Sequence, residues 1–209
     1  MKLDKKTGAG GSGEGGRTRV RPPRLALLLL AVAGLVLAAP ASRAEGVELT
    51  VTNRAGTYEV RGRFETTADL DTVWRVLTDY TSISSFVGSV RRSEVVLRDG
   101  EHLRIRQTAT VGVFPFQRTA RVLLEVAESP PSRIEFHDVL REDFRTYDGS
   151  WSLSGDSLRA VVSYSLDASP RASAPGWLGR GMLSRSARDL LTQVRAEIER
   201  RAAKAAPRR

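Results

Sequence analysis

One apolar stripe near the C-terminus constrains the fold of this chain more than any other feature. Between residues 177 and 203 the apolar positions recur at steps of three and four, as on one face of an α-helix: Leu183, Ala187, Leu190, Leu191, Val194 and Ile198. A stripe of this kind is stable only when another element covers it. Everything between residue 57 and this helix has the pattern of strands with one apolar face, so we expect a sheet curled around the helix.

The strand pattern begins at Tyr58, where apolar and charged residues alternate through residue 65. Two short helical segments follow, one from about residue 67 to 77 and one ending at Gly88. Six strand segments then succeed one another: 90–98, 102–113, 118–126, 133–140, 145–153 and 158–166. Strands joined by short turns form antiparallel sheets. The prediction is an α+β fold, a curved antiparallel sheet of about seven strands around a long C-terminal helix, with two short helices after the first strand.

The first 44 residues have the composition of a leader. An apolar run over residues 25–39 follows four arginines and precedes the small residues of APASRA, which is the order of a secretory signal peptide. Cleavage after Ala44 or after Ala41 suits signal peptidase, and an uncleaved anchor is the alternative. We therefore divide the chain into a leader (1–44), a lead-in that includes a short strand near Val47 to Val51 (45–56), one domain (57–203) and a basic tail (204–209). The expected location is periplasmic or secreted.

The formal net charge of +9 comes mostly from this leader, which carries eight basic and two acidic residues. The remainder is close to neutral, which argues against a nucleic-acid partner, since such proteins need a basic face. We expect a monomer.

Few residues could support catalysis. The two histidines, His102 and His137, fall on the polar side of their strands, and the chain has no cysteine. Neither histidine has metal-ligand spacing, so we expect no metal site and no cofactor. Asp138, Glu142 and Asp143 cluster near a strand end with Arg141 and Arg145, which is most simply a charged hairpin connection. One alternative keeps Asp138 in phase with inward residues, where a desolvated carboxylate could act as a general base.

Three stretches carry a resemblance to a known family. They are FETTADLDTVWRVLTDYTSISSFVGSV at residues 64–90, RIEFHDVLREDFRTYDGSWSL at residues 133–153, and the basic final helix. In these stretches and in element order the chain resembles the START-like, or SRPBCC, helix-grip superfamily, and within it the polyketide cyclase/dehydrase and coenzyme-Q-binding branch. The resemblance covers residues 57 to 203 and implies a hydrophobic cavity between the sheet and the last helix.

Inward positions of the strands and helices are the candidates for lining that cavity. The cavity candidates are Trp74, Ile105, Gln107, Leu124, Phe136, Tyr147, Trp151, Tyr164, Leu183 and Ala187. Each of the polar ones, Gln107 and the two tyrosines, is more simply explained as an ordinary core residue with one hydrogen bond. Phe114 and Phe116, at an apolar hairpin tip, are portal candidates that could contact a membrane transiently or fold back over the helix start.

Three functions remain open at this stage. The leading hypothesis is an exported module that binds a hydrophobic small molecule, a lipid or a quinone, without acting on it. The second is a cyclase or dehydratase that uses Asp138 or an inward tyrosine. The third is a protein-interaction domain that uses the hairpin tip or the arginine-rich end of the helix.

Overall fold

A computed structural model of the protein describes residues 46–100, 102–111, 117–156, 158–171 and 176–205, with the backbone alone at residues 111 and 176–178. These residues belong to one compact unit, Ser42–Arg209. The buried core and the side chains packed on it run from Val47 to Ala202. Every core residue that the structure describes therefore lies within this range. The leader and its apolar run, the hairpin tip with Phe114 and Phe116, and the last four residues lie outside the described residues.

Eight strands and three helices make up the described fold. In chain order they are β1 (Glu48–Arg54), β2 (Thr57–Thr66), α1 (Leu70–Leu77), α2 (Ile83–Phe86), β3 (Val90–Asp99), β4 (His102–Val111), β5 (Arg118–Ser129), β6 (Arg133–Asp138), β7 (Phe144–Gly155), β8 (Ala160–Pro170) and α3 (Gly176–Ala205). Among the helices described, none has the length and hydropathy of a membrane span.

The eight strands form one antiparallel sheet in the order β1-β2-β8-β7-β6-β5-β4-β3. The α+β helix-grip fold predicted from sequence is confirmed. The sheet has one strand more than the seven expected, because the lead-in segment pairs with β2 along its whole length. For the same reason the two short helices follow the second strand. The last strand begins at Ala160, and Leu158, with which the predicted strand 158–166 starts, lies before it with 78% of its surface exposed.

Buried and exposed residues alternate along the strands as predicted. Val60, Phe64 and Ile105 are almost completely buried, while His102 and His137 are exposed on the polar side. Alternate residues of a strand point to opposite faces, so this pattern places the core on the concave side of the sheet.

Helix α3 packs its second half tightly against the sheet. Leu191, Val194 and Ile198 are 0%, 3% and 0% exposed. Gly62 on β2 allows this close approach, because a Cβ at that position would collide with the Leu191 side chain. Helix α1 supports the same region; its N-cap is Asp69, whose Oδ1 accepts a hydrogen bond from the Thr72 backbone N–H at 2.6 Å.

An ion network joins the end of α3 to the α1–α2 connection. The Glu197 carboxylate is 7% exposed and accepts hydrogen bonds at 2.6 Å from the guanidinium groups of Arg200 and Arg201. Arg201 also pairs with Asp79 at 2.9 Å. The hydrogen bonds from Arg200, then those from Arg201, lower the pKa of Glu197 to about 2.

This network predicts a specific pH dependence. A carboxyl whose pKa is lowered by folding stabilises the protein above its ordinary value of 4.5 and loses that contribution as the pH falls toward 2. We expect Glu197→Gln to lower the free energy of unfolding at pH 7 by about 1–2 kcal/mol, and the difference from wild type to shrink between those two pH values. Urea titrations across the range measure it.

The control for this prediction is Glu199→Gln. Glu199 pairs with Arg195 and is more exposed than Glu197. A surface pair is worth less than about 1 kcal/mol, so this variant should follow the wild-type profile. A Glu197→Gln deficit that persists undiminished to low pH would contradict the assignment.

Candidate functional site

A cavity of about 200 Å³ lies between the concave face of the sheet and the first half of α3. The second half of α3 fills the neighbouring space with side chains, whereas Leu183 and Leu190 in the first half are only partly buried and line the void. An apolar cavity of about 150 Å³ accommodates benzene. The volume here is therefore sufficient for a compact ring-bearing molecule or for part of a longer one.

Most of the cavity wall is apolar. It is formed by side chains from seven strands, from α1, α2 and their connection to β3, and from α3. The lining residues are Val60, Leu77, Tyr80, Ile83, Ser89, Val90, Ile105, Gln107, Ala109, Thr110, Ala120, Val122, Leu124, Val126, Ile134, Phe136, Phe144, Tyr147, Trp151, Tyr164, Leu166, Leu183, Ser186, Ala187 and Leu190.

The structure places nine of the ten cavity candidates on this wall: Ile105, Gln107, Leu124, Phe136, Tyr147, Trp151, Tyr164, Leu183 and Ala187. The tenth, Trp74, packs half-buried against the core outside the lining. That any of these side chains contacts a ligand stays a prediction. The portal candidates Phe114 and Phe116 lie outside the described residues.

An aromatic cluster forms the wall on β6, β7 and β8. The rings of Trp151 and Tyr164 lie 4.5 Å apart, and Phe136 lies 6.1 Å from Tyr147 and 6.5 Å from Tyr164. Gly149 makes room for the Phe136 ring, because a Cβ there would overlap it. Aromatic rings at these spacings favour a flat partner that stacks or meets them edge-on.

Two phenol groups give this apolar wall its polar character. Burial raises the pKa of Tyr147 to about 12, with a small further effect from the negative charge of Asp138, while Tyr164 acts in the opposite direction. Burial and the neighbouring Tyr147 raise the pKa of Tyr164 well above its ordinary value. Both phenols are therefore neutral at physiological pH. The side-chain hydrogen bond between them uses one of their two O–H protons, which leaves one to donate to an oxygen atom in the cavity.

Two other polar side chains on the wall have partners within the protein. Gln107 donates from Nε2 to the Ser93 hydroxyl at 3.2 Å, which leaves its carbonyl oxygen as an acceptor. Tyr80 donates its hydroxyl to Glu128 at 2.7 Å, and burial raises the pKa of this phenol above its ordinary value.

Asp138 is buried, as the alternative reading of β6 predicted, but its carboxylate is engaged. Oδ1 accepts backbone N–H bonds from Leu123 and Leu140, both at 2.9 Å, and Oδ2 accepts one from Arg141 at 3.0 Å. These bonds hold the β6–β7 turn, where Arg141 adopts a positive φ of 53°. A carboxylate used in this way is a structural group, so the geometry does not favour a general base at this position.

Sequence reasoning left several wall residues out of the candidate set. Tyr80, Ser89, Phe144 and Ser186 all line the cavity. Tyr80 was recognisable as inward from the spacing of Tyr80, Ile83 and Phe86. The other three residues lie next to turns or on the flank of α3. At such positions neither the helix period of 3.6 nor the strand period of 2 shows clearly which residues face inward.

Comparison with known proteins identifies the family. Residues 66–195 match the family model described as polyketide cyclase / dehydrase and lipid transport. Because this match spans more than half of the chain, the protein belongs to that family. A search of curated proteins finds no match.

Solved structures with the same fold include proteins of different kinds. The Zhui aromatase/cyclase from Streptomyces sp. R1128 is 19% identical with a TM-score of 0.62, covering 72% of this chain and 99% of its own. A STAR-related lipid transfer protein from Xanthomonas axonopodis is 22% identical with a TM-score of 0.59, covering 76% and 96%. The lipid transfer domain of human StarD13 is 12% identical with a TM-score of 0.57, covering 74% and 85%. At these identities the likeness concerns the fold.

Because of the void, we expect the same substitution at two alanines to change the free energy of unfolding by different amounts. Ala187 faces the cavity, so Ala187→Leu places its added atoms in free space and should change the free energy of unfolding by less than about 1 kcal/mol. Ala160, fully buried at 0% exposure outside the lining, is the matched control, and Ala160→Leu should cost about 1–3 kcal/mol. Urea unfolding of both variants measures the difference. Equal losses would contradict a void beside α3.

Proposed function

We propose that this protein binds a hydrophobic small molecule, a lipid or a quinone-like compound, in the cavity under α3. The observation that carries the proposal is the apolar void itself, of about 200 Å³, which lies between the sheet and the first half of α3, while Leu191, Val194 and Ile198 in the second half are buried. Ligand sites are typically apolar with a few placed polar groups. The family description, which includes lipid transport, supports the same class of function.

The size and chemistry of the wall support a ring with oxygen substituents over a whole two-chain lipid. The cavity is smaller than the roughly 300–1,000 Å³ of drug-sized sites, so a larger ligand would leave part of itself outside. The hydrogen-bonded pair of Tyr147 and Tyr164 has one O–H proton left as a donor beside the aromatic rings of Phe136 and Trp151. A quinone carbonyl, or the carboxyl of a single-chain fatty acid, fits this arrangement.

Binding of two probes tests the proposal, with Trp151 as the nearby fluorophore. A decyl-substituted benzoquinone and lauric acid are titrated into residues 45–209 while tryptophan fluorescence is recorded. We expect saturable binding of at least one probe, and Tyr164→Phe should weaken it about three- to tenfold, because a neutral hydrogen bond contributes about 0.5–1.5 kcal/mol.

Tyr58→Phe is the matched control, since Tyr58 is equally buried but does not line the cavity. Its affinity should equal that of wild type. If neither probe binds, the proposed ligand class is wrong. If the probe binds Tyr164→Phe as tightly as wild type, the assigned role of that phenol is wrong.

A cyclase or dehydratase activity is the second candidate, and the tyrosine pair favours it. Neutral phenols in an apolar cavity could polarise the carbonyl of a bound substrate as hydrogen-bond donors. The family description also names cyclases and dehydrases. Turnover of an aromatic polyketide precursor that is lost in the Tyr147→Phe, Tyr164→Phe double variant would establish this reading over simple binding.

Export to the periplasm or the medium is part of the proposal, and it depends on residues 1–44. Expression in a bacterial host should give a processed protein whose first residue is Glu45, or Ser42 if cleavage follows Ala41. N-terminal sequencing of the periplasmic fraction measures this. A full-length protein retained in the membrane fraction would instead support the uncleaved anchor.

A further inference from the structure

Five exposed arginines gather at one end of the sheet, where β5 and β7 begin and β6 and β8 end. We call this group the arginine rim; it consists of Arg118, Arg121, Arg141, Arg145 and Arg171. Within the described part of the chain, none of the five forms an ion pair with a carboxylate. Three carboxylates of the same turn, Asp138, Glu142 and Asp143, lie among these five arginines, so the rim and its turn carry a net charge of +2 (5 − 3) on a body that is close to neutral.

The turn between β6 and β7 organises the rim. Arg171 donates from Nε to the Arg141 carbonyl at 2.8 Å and from its backbone N–H to the Asp143 carbonyl at 2.9 Å. The Asp143 carboxylate accepts the Arg121 backbone N–H at 2.7 Å, and Asp138 holds the Arg141 backbone. Asp138 and Asp143 thus bind backbone groups instead of guanidinium groups, while Glu142 is exposed in the same turn.

Two aliphatic side chains lie in the same turn. Val139 and Leu140 are 36% and 37% exposed, directly before Arg141 in the chain. Exposed aliphatic residues beside a cluster of cations are typical of surfaces that insert into the headgroup region of anionic membranes. An acidic protein would satisfy the arginines but gives no particular reason for aliphatic residues among them.

The cavity reaches the same end of the fold. Ala120 and Phe144 line it, and each is followed in the chain by a rim residue, Arg121 and Arg145 respectively. A hydrophobic molecule moving between this cavity and a bilayer would travel least far through water if this end faced the membrane.

We infer that the arginine rim, together with Val139 and Leu140, docks the protein onto an anionic lipid bilayer. Its connection with ligand exchange rests on the proposed function, but docking itself is measurable without any cavity ligand. Each arginine near an anionic surface contributes about 1 kcal/mol, equivalent to about fivefold in partitioning. The arginines outnumber the three carboxylates of the same turn by two, and this surplus together with Val139 and Leu140 supports weak, reversible association.

Vesicle sedimentation tests the inference. Residues 45–209 are used, because the leader has eight basic residues of its own and every core residue that the structure describes lies between Val47 and Ala202. We expect binding to vesicles of phosphatidylcholine mixed with phosphatidylglycerol, weak binding to phosphatidylcholine alone, and release at high salt. The double variant Arg118→Gln, Arg145→Gln should weaken partitioning about fivefold for each arginine removed.

A matched pair of charge losses at the opposite end of the sheet is the control. Arg133 and Arg159 are exposed arginines paired with Glu135 and Glu65, and Arg133→Gln with Arg159→Gln removes the same charge. This pair should partition within about twofold of wild type, since only local charges contact the surface, whereas Leu140→Ser should weaken binding about fivefold.

Three results would overturn the inference. The first is equal weakening by the control pair and the rim pair, and the second is equal binding to neutral and anionic vesicles. The third is an absence of vesicle binding together with salt-sensitive binding to poly-glutamate, which would assign the rim to an acidic protein partner. The probe titrations are independent of all three, so loss of ligand binding and loss of docking are separately visible.

Discussion

The contact between α3 and the concave face of the sheet is the interaction on which the rest of the structure depends. Its second half is a solid interface, with Leu191 and Ile198 completely buried and Gly62 admitting the helix to close range. Its first half spans the sheet without filling the space beneath it. The helix therefore has two roles. Its second half buries the apolar surface that stabilises the domain, and its first half covers the cavity.

This division explains why a void can persist in a stable fold. Cavities cost stability in proportion to their volume, so the solid half must compensate for the open half. The Glu197 network adds a fixed attachment between the far end of α3 and the α1–α2 connection. The cavity wall between Tyr80 and Val90 comes next in the chain after that connection. It is attached to α3 at Gly88, whose N–H donates a hydrogen bond to the Gln193 side chain at 2.8 Å.

Much of this arrangement could be predicted from the sequence. The step of three and four in α3 and the alternation in the strands identify which side chains face inward, and inward side chains include both the core and the cavity wall. The same periodicity cannot separate the two, which is why Trp74 was grouped with the wall although it packs outside the lining. Whether an inward residue meets another side chain or a void depends on the curvature of the whole sheet. The β1 strand was predicted only as a short strand near Val47 to Val51, and its pairing with β2 as an added strand of the sheet was not.

Charge shows a similar limit. The near balance of acidic and basic residues in the body indicates no charged partner surface, yet the fold collects Arg141, Arg145 and Arg171 at one end. The arginines at that end come from parts of the chain that are distant in sequence. A count of acidic and basic residues over the whole chain therefore does not reveal this local excess of arginine. Asp138 is the opposite case: its position was foreseen, but the three backbone bonds that fix its role depend on the turn that follows it.

The central claim is that the cavity under α3 holds a hydrophobic molecule. Its most direct test is native mass measurement of purified residues 45–209, followed by mass spectrometry of an organic extract of the same sample. The account predicts a protein that carries a stoichiometric lipid or quinone-like compound from its host. A bare chain mass and an empty extract, from a host whose membranes contain both kinds of molecule, would contradict it.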